Sequence, residues 1–234
     1  MRSLCILGDS IGRGVVLDEA SGRYTVITDR FSSLLAPMIG ARVKNHAAFG
    51  STIEKGIKIT GRYKDELSSF SAVLLEFGGN DCDFDWAAIA KAPGENHEPK
   101  TPLKLFEEKY LELIQAIKQA GGRPLLMNLP PIDPLKYFDR ISRGLNGEAI
   151  LEWLGDKARI YRWHEMYSIT VQNLAKLTST PIIDIRSDFL RRKDCPQLIC
   201  SDGIHPNAMG HRQMADTLAD FFAVFFQCES CLSV

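Results

Sequence analysis

The sequence predicts an α/β fold built on a parallel sheet. Its apolar runs are short and continuous rather than alternating, as in strands buried on both faces. Stretches of helical periodicity separate them, which implies right-handed strand–helix–strand crossovers. Two connections are also too long for ordinary turns. Both leave the C-terminal end of a predicted strand, the edge at which open parallel sheets bind ligands.

The elements follow in order. "SLCILG" (3–8) is the first strand, and the more polar "ARVKNHAA" (41–48) the second. "SAVLLEFGG" (71–79), "RPLLMNLP" (123–130) and "PIIDI" (181–185) supply three more. Phe106, Tyr110, Leu113 and Ile117 recur at helical spacing until Gly121-Gly122 stop the run. Ile160, Trp163, Tyr167, Val171, Leu174 and Leu177 form a second stripe, and Met214, Leu218, Phe221 and Phe225 a third. These stripes read as core. The long connections span 82–102 and 130–157, the latter with helix inside it, and both are candidate substrate walls. No repeat, low-complexity tract or linker divides the chain, so one domain over 1–234 is expected.

Composition narrows the function. The chain has 234 residues and a net charge of −1, so no basic surplus points to nucleic acid. No apolar run reaches the roughly 20 residues of a membrane span, so no membrane insertion is expected. Met1-Arg2-Ser3 leads directly into the first strand without the apolar segment of a signal peptide, and a cytoplasmic protein is expected. The six cysteines are too few for a disulfide scaffold. Cys228-x-x-Cys231 has no second pair at zinc spacing, so neither metal nor cofactor is expected.

The stretch "LCILGDSIGRG" (4–14) raises the question of chemistry: a serine lies just past the first strand, with glycines on both sides. A phosphate-binding loop would need G-x-x-x-x-G-K-[ST]. Gly8 and Gly12 are one residue too close, and Arg13-Gly14 replaces the Lys-Ser/Thr; the dinucleotide pattern G-x-G-x-x-G is absent as well. A nucleophile at Ser10 would instead need a histidine base, an acid to orient it, and donors for an oxyanion. Of five histidines, His164 falls in a predicted helix, His97 in a polar loop and His46 in a predicted strand. His205 stands in "SDGIHPN" (201–207), where Pro206 keeps it out of helix. Asp202, three residues earlier, can reach its ring through a turn. Alone, Asp202 and Asn207 could equally be turn and cap residues. Asn80, in "FGGND" at the end of the third strand, is a candidate oxyanion donor or a turn residue. Gly50, in "NHAAFGST", offers a closely approachable N–H or merely a turn.

Taken together, "GDSI", "NHAAFGST", "GGND" and "DGIHPN" occur in the order found in the SGNH, or GDSL-type, hydrolases, and the sequence resembles that family from Gly8 to about Gly210. Ile11 replaces the usual leucine. The resemblance implies a three-layer α/β/α fold with a flavodoxin-like parallel sheet of about five strands. It implies Ser10 as nucleophile, His205 as base and then acid, and Asp202 as the orienting acid. It implies an oxyanion hole made of the Ser10 and Gly50 N–H groups and the Asn80 side chain. Asp9 is read as holding the turn, and Asp184 and Asp188 as strand-end and cap residues. The implied activity is hydrolysis of a small-molecule carboxylic ester, on a small acyl group or an acetylated sugar. A thioesterase or lysophospholipase-type lipid hydrolase, or a non-catalytic binding module on this fold, are the alternatives. Phe84 and Trp86, just beyond Asn80, are candidate substrate-wall residues, with capping of the core as the competing role for Trp86.

Overall fold

A computed structural model describes residues 2–231, with side chains as far as Phe226; the thiols of Cys228 and Cys231 lie outside the described residues. The chain runs β1 (Ser3–Gly8), α1 (Ser10–Arg13), β2 (Val15–Asp18), β3 (Arg23–Val26), α2 (Phe31–Met38), β4 (Arg42–Asn45), α3 (Ile53–Tyr63) and β5 (Ala72–Glu76). It continues through α4 (Trp86–Lys91), α5 (Leu103–Gln119), β6 (Pro124–Met127), α6 (Pro134–Ile141), α7 (Gly147–Leu154), α8 (Ala158–Thr178), β7 (Ile182–Ile183), α9 (Ile185–Leu190) and α10 (Ala208–Cys231).

All five runs read as strands pair in one parallel sheet of order β4-β1-β5-β6-β7. Side-chain alternation divides its two faces. Cys5 and Leu7 join Val73 and Leu75 against α3, α5 and α8. Leu4 and Ile6 join Leu74 and Leu125 against α2, α9 and α10. Both faces are therefore apolar, which is why the strands read as continuous runs. The connection leaving β1 covers one face and that leaving β5 covers the other. The sheet thus has its switch point between these neighbours, and a crevice opens above their C-terminal ends. Ser10 follows one of them and Asn80 the other.

Four details differ from the sequence reading. The last helix buries Met214, Leu218, Phe222 and Phe226, while Phe221 and Phe225 only flank the core. Leu177 is 69% exposed and does not extend the α8 stripe. His46 stands just past β4 rather than within it. Asp188 lies inside α9, paired with Arg191, whereas Asp184 does cap that helix. An antiparallel hairpin, β2–β3, was also not anticipated. A satellite core of Phe84, Ile89, Ile132, Phe138, Ile150, Leu154 and Ile160 sits beneath the long connections, which carry α4, α6 and α7.

Candidate active site

The serine turn is built from carboxylates and backbone. Asp9 caps α1, its Oδ1 accepting from Ile11 N at 2.8 Å. Ser10 is then the first helical residue, and its N–H has no acceptor within the helix. Glu76, opposite Gly8 in the sheet, accepts through Oε2 from Asp9 N at 3.2 Å and Gly12 N at 3.0 Å. Burial, then the charge of Asp9, hold the Glu76 carboxyl well above the ordinary range. A neutral acid under the turn satisfies two backbone donors without adding a second charge beside Asp9.

The last loop supplies the partners. Asp202 Oδ1 accepts from Ile204 N at 3.0 Å and His205 N at 3.1 Å, a side-chain turn that folds the loop back. Its Oδ2 lies 2.6 Å from His205 Nδ1, and His205 Nε2 lies 2.9 Å from Ser10 Oγ. Burial pushes the Asp202 carboxyl up, but the hydrogen bond and charge of His205 outweigh it and hold it below its ordinary value. An ionised Asp202 requires the proton on Nδ1, which leaves Nε2 free to accept from the serine hydroxyl. Gly203 makes this loop possible. Its φ is +81°, and a Cβ there would lie 2.3 Å from Tyr137 N and 2.6 Å from Asp133 O. Asn207 is a cap, accepting from Met209 N and Gly210 N at the start of α10.

Asn80 and Gly50 behave differently. Asn80 Nδ2 donates to Asp9 Oδ2 at 3.0 Å and Ser51 O at 3.2 Å, so both its hydrogens are engaged. Gly50 has φ +66° in an exposed turn, and it is Phe49 rather than Gly50 that lines the crevice. Asp81, the last residue of "GGND", accepts from Ile53 N and Thr101 Oγ1, joining α3 to the end of the first long connection.

The crevice is a cleft of about 340 Å³ that contains Ser10, Asn80 and His205 in its lining. Phe84 and Trp86 line it as well. Phe84 also belongs to the satellite core, with ring centroids 5.6 Å from Trp86, 5.0 Å from Trp153 and 5.7 Å from Trp163. Wall and core roles therefore coincide. One carboxylate holds the wall: Asp83 Oδ1 accepts from Trp86 Nε1 at 2.8 Å and Tyr137 OH at 2.5 Å, and Oδ2 meets Lys100 Nζ at 2.8 Å.

The GDSL-like Lipase/Acylhydrolase family matches residues 6–213. This chain belongs to that family. A curated relative, "Thioesterase 1/protease 1/lysophospholipase L1" of Escherichia coli K12, is 24% identical over 218 residues, covering 93% of this chain and 81% of its own length. A lipase/acylhydrolase from Enterococcus faecalis superposes with a TM-score of 0.66 at 20% identity, covering 94% of both chains. A catalytic mutant of the acetylxylan esterase Axe2 from Geobacillus stearothermophilus gives 0.63 at 16% identity, again with 94% of both chains covered. Membership supports ester hydrolysis as the class of activity and leaves the substrate open; the two structural likenesses establish the shared fold.

Against that family background, several cleft residues carry no motif and escaped the sequence reading. Tyr24, on the unanticipated hairpin, lies over the site with its ring 5.2 Å from His205. The hairpin is tied to the His205 loop where Glu19 accepts from Ser201 N and Oγ. Tyr137, Trp153, Trp163 and His164 come from the second long connection and α8. The detectable signal was His164: it occupies the buried phase of α8 between Ile160 and Tyr167, where an apolar residue is the norm. Among the described residues, no group of three or more His, Cys, Asp or Glu side chains is placed to hold a metal. No helix among them is long and apolar enough to cross a membrane.

Proposed function

We propose that the chain is a serine esterase working through an acyl-enzyme, as one catalytic domain over 1–234. The carrying observation is the continuous contact from Asp202 through His205 to Ser10 on the floor of a cleft. Ser10 Oγ attacks the ester carbonyl as His205 Nε2 takes its proton, and Asp202 stabilises the imidazolium. The Ser10 N–H and the Asn80 amide receive the oxyanion, Asn80 releasing one present acceptor to do so, whereas Gly50, exposed and outside the cleft lining, is not given this role. His205 then protonates the departing alcohol, and water repeats the sequence on the acyl-enzyme. The chemistry requires no cofactor or metal.

The substrate is a small-molecule ester with a short acyl group, on a sugar or similar alcohol. A cleft of about 340 Å³ exceeds what an acetyl group fills, and its aromatic rings offer flat faces to a ring-shaped alcohol. A lipid acyl or thioester substrate is the second reading, favoured by the same aromatic lining and by the printed activities of the Escherichia coli relative. Labelling with a fluorophosphonate tests the mechanism. Mass spectrometry is expected to find the adduct on Ser10. Ser10→Ala is expected to abolish labelling and lower ester turnover by roughly 10⁴-fold or more, with the melting temperature preserved. A folded Ser10→Ala protein with near wild-type turnover refutes the assignment and leaves the binding-module reading.

A further inference from the structure

His164 is the one buried histidine of the cleft wall that the proposed chemistry does not use. It is 5% exposed and lies on α8 beside Trp163. Beneath it lies Arg186, 2% exposed, whose Nη1 stands 3.4 Å from His164 Nδ1. Arg186 cannot swing away. It pairs with Glu165, donates to Leu129 O at 3.2 Å and Pro130 O at 3.4 Å, and lies 4.8 Å over the Tyr161 ring.

This arrangement determines the tautomer. A guanidinium only donates, so Nδ1 must be the acceptor and the ring hydrogen sits on Nε2. Burial, then the Arg186 charge, hold the His164 pKa down to about 3, so the ring stays neutral. Nδ1 is turned to Arg186 under the wall, which leaves Nε2–H on the cleft side. No protein acceptor is seen for Nε2 among the described residues, and His164 lines the cleft. An N–H that faces the cleft and has no protein acceptor is available to donate to a substrate oxygen. The neighbouring cleft surface is aromatic, from Trp153, Trp163 and Phe84.

We propose that His164 is the specificity-determining donor of this cleft, its Nε2–H binding a hydroxyl or ether oxygen on a ring-shaped alcohol that packs against the aromatic wall. The proposal rests on the serine-esterase reading and narrows its substrate to esters of oxygen-rich ring alcohols over plain hydrocarbon ones. Because the ring is neutral and its partner nitrogen is occupied, His164 offers one donor and no charge. It therefore selects for an acceptor and is silent towards hydrocarbon.

A matched pair of esters tests this. 6-O-acetylglucose and cyclohexylmethyl acetate present six-membered rings of similar size, with and without oxygens. Wild type is expected to favour the sugar ester in kcat/KM. His164→Phe is expected to reduce that preference at least tenfold, and His164→Gln, which keeps a donor, to restore most of it. A global loss of activity cancels in the ratio. If either variant does not fold, ¹⁵N-histidine spectra of the Ser10→Ala protein give the same information: the His164 Nε2 resonance shifts with the sugar ester and not with the cyclohexyl ester. Preference for the cyclohexyl ester, an unchanged ratio in His164→Phe, or an Nε2 resonance indifferent to the sugar overturns the proposal. Absence of fluorophosphonate labelling at Ser10 in wild type would instead refute the esterase reading beneath it.

Discussion

The relay and the aromatic wall share one cleft but are built on opposite principles. The relay is polar and local. Asp202 folds its own loop through two backbone hydrogen bonds before it touches His205, and Asp9 caps the helix that begins with Ser10. The wall is apolar and assembled from distant segments. Phe84, Trp86, Tyr137, Trp153 and Trp163 are held by ring packing around a single carboxylate, Asp83. Directional hydrogen bonds tolerate little displacement, whereas packed rings tolerate substitution in degrees. Chemistry is therefore expected to fail abruptly on mutation and selectivity to drift.

Perturbing each side in turn sharpens this contrast. After Ser10→Ala, the largest effect is expected from Asn80→Ala, which removes the proposed oxyanion donor and an anchor of Asp9: kcat falls by roughly 10²–10³ with KM little changed. If steady-state kinetics show KM rising while kcat holds, Asn80 contributes to ground-state binding and the polar side also serves selectivity. On the wall, Trp86→Ala is expected to lower the melting temperature and to shift the kcat/KM ratio between acetyl and longer acyl esters. Each altered methylene contact is worth about 1–3 kcal/mol, so the change is graded. A lower melting temperature with an unchanged chain-length profile would make Trp86 a packing residue alone.

A third perturbation leaves the chemistry aside and reads stability. Glu76 is protonated in the fold, its carboxyl held well above 4.5 by burial and Asp9. Below the unfolded value, both states carry the proton. As pH rises past it, the unfolded chain releases the proton while the fold retains it, so stability falls until the folded value is reached. Glu76→Gln cannot ionise and is expected to lack this loss. Urea unfolding at pH 5 and pH 8 reads the difference: the variant gains on wild type towards pH 8, by at most about 1.4 kcal/mol per pH unit. A pH-independent gap between the two proteins would mean Glu76 is charged in the fold.

The same contrast explains what the sequence reveals. The central strands β1, β5 and β6 were legible because both faces of the sheet are covered there, which leaves continuous apolar runs, whereas the edge strand β4 is polar and partly exposed and stands out less. Ser10, Asn80, Asp202 and His205 were legible because each stands in a short motif at a predicted sheet edge. Tyr24 was not, since its strand is exposed along its whole length and shows no apolar run. Phe84 and Trp86 could be nominated from their place after Asn80, but their partners Tyr137, Trp153 and Trp163 lie 51 to 79 residues further along and share no motif with them. The α10 stripe was misphased by one residue because four phenylalanines in six positions satisfy two helical phases at once.

Gly203 links the two regions mechanically. Its missing side chain lets the Asp202–His205 loop lie against the first turn of α6, where Asp133 N donates to Gly203 O at 2.8 Å. From the same helix, Lys136 Nζ grips Pro196 O at 2.7 Å and Ile199 O at 3.1 Å. The next residue of α6, Tyr137, is part of the aromatic wall. Helix and loop thus form one rigid part, with His205 at one end and the ring of Tyr137 at the other. A rigid part of this kind has a single alignment tolerance, so the place of Tyr137 in the cleft and the spacing of His205 from Ser10 are set together.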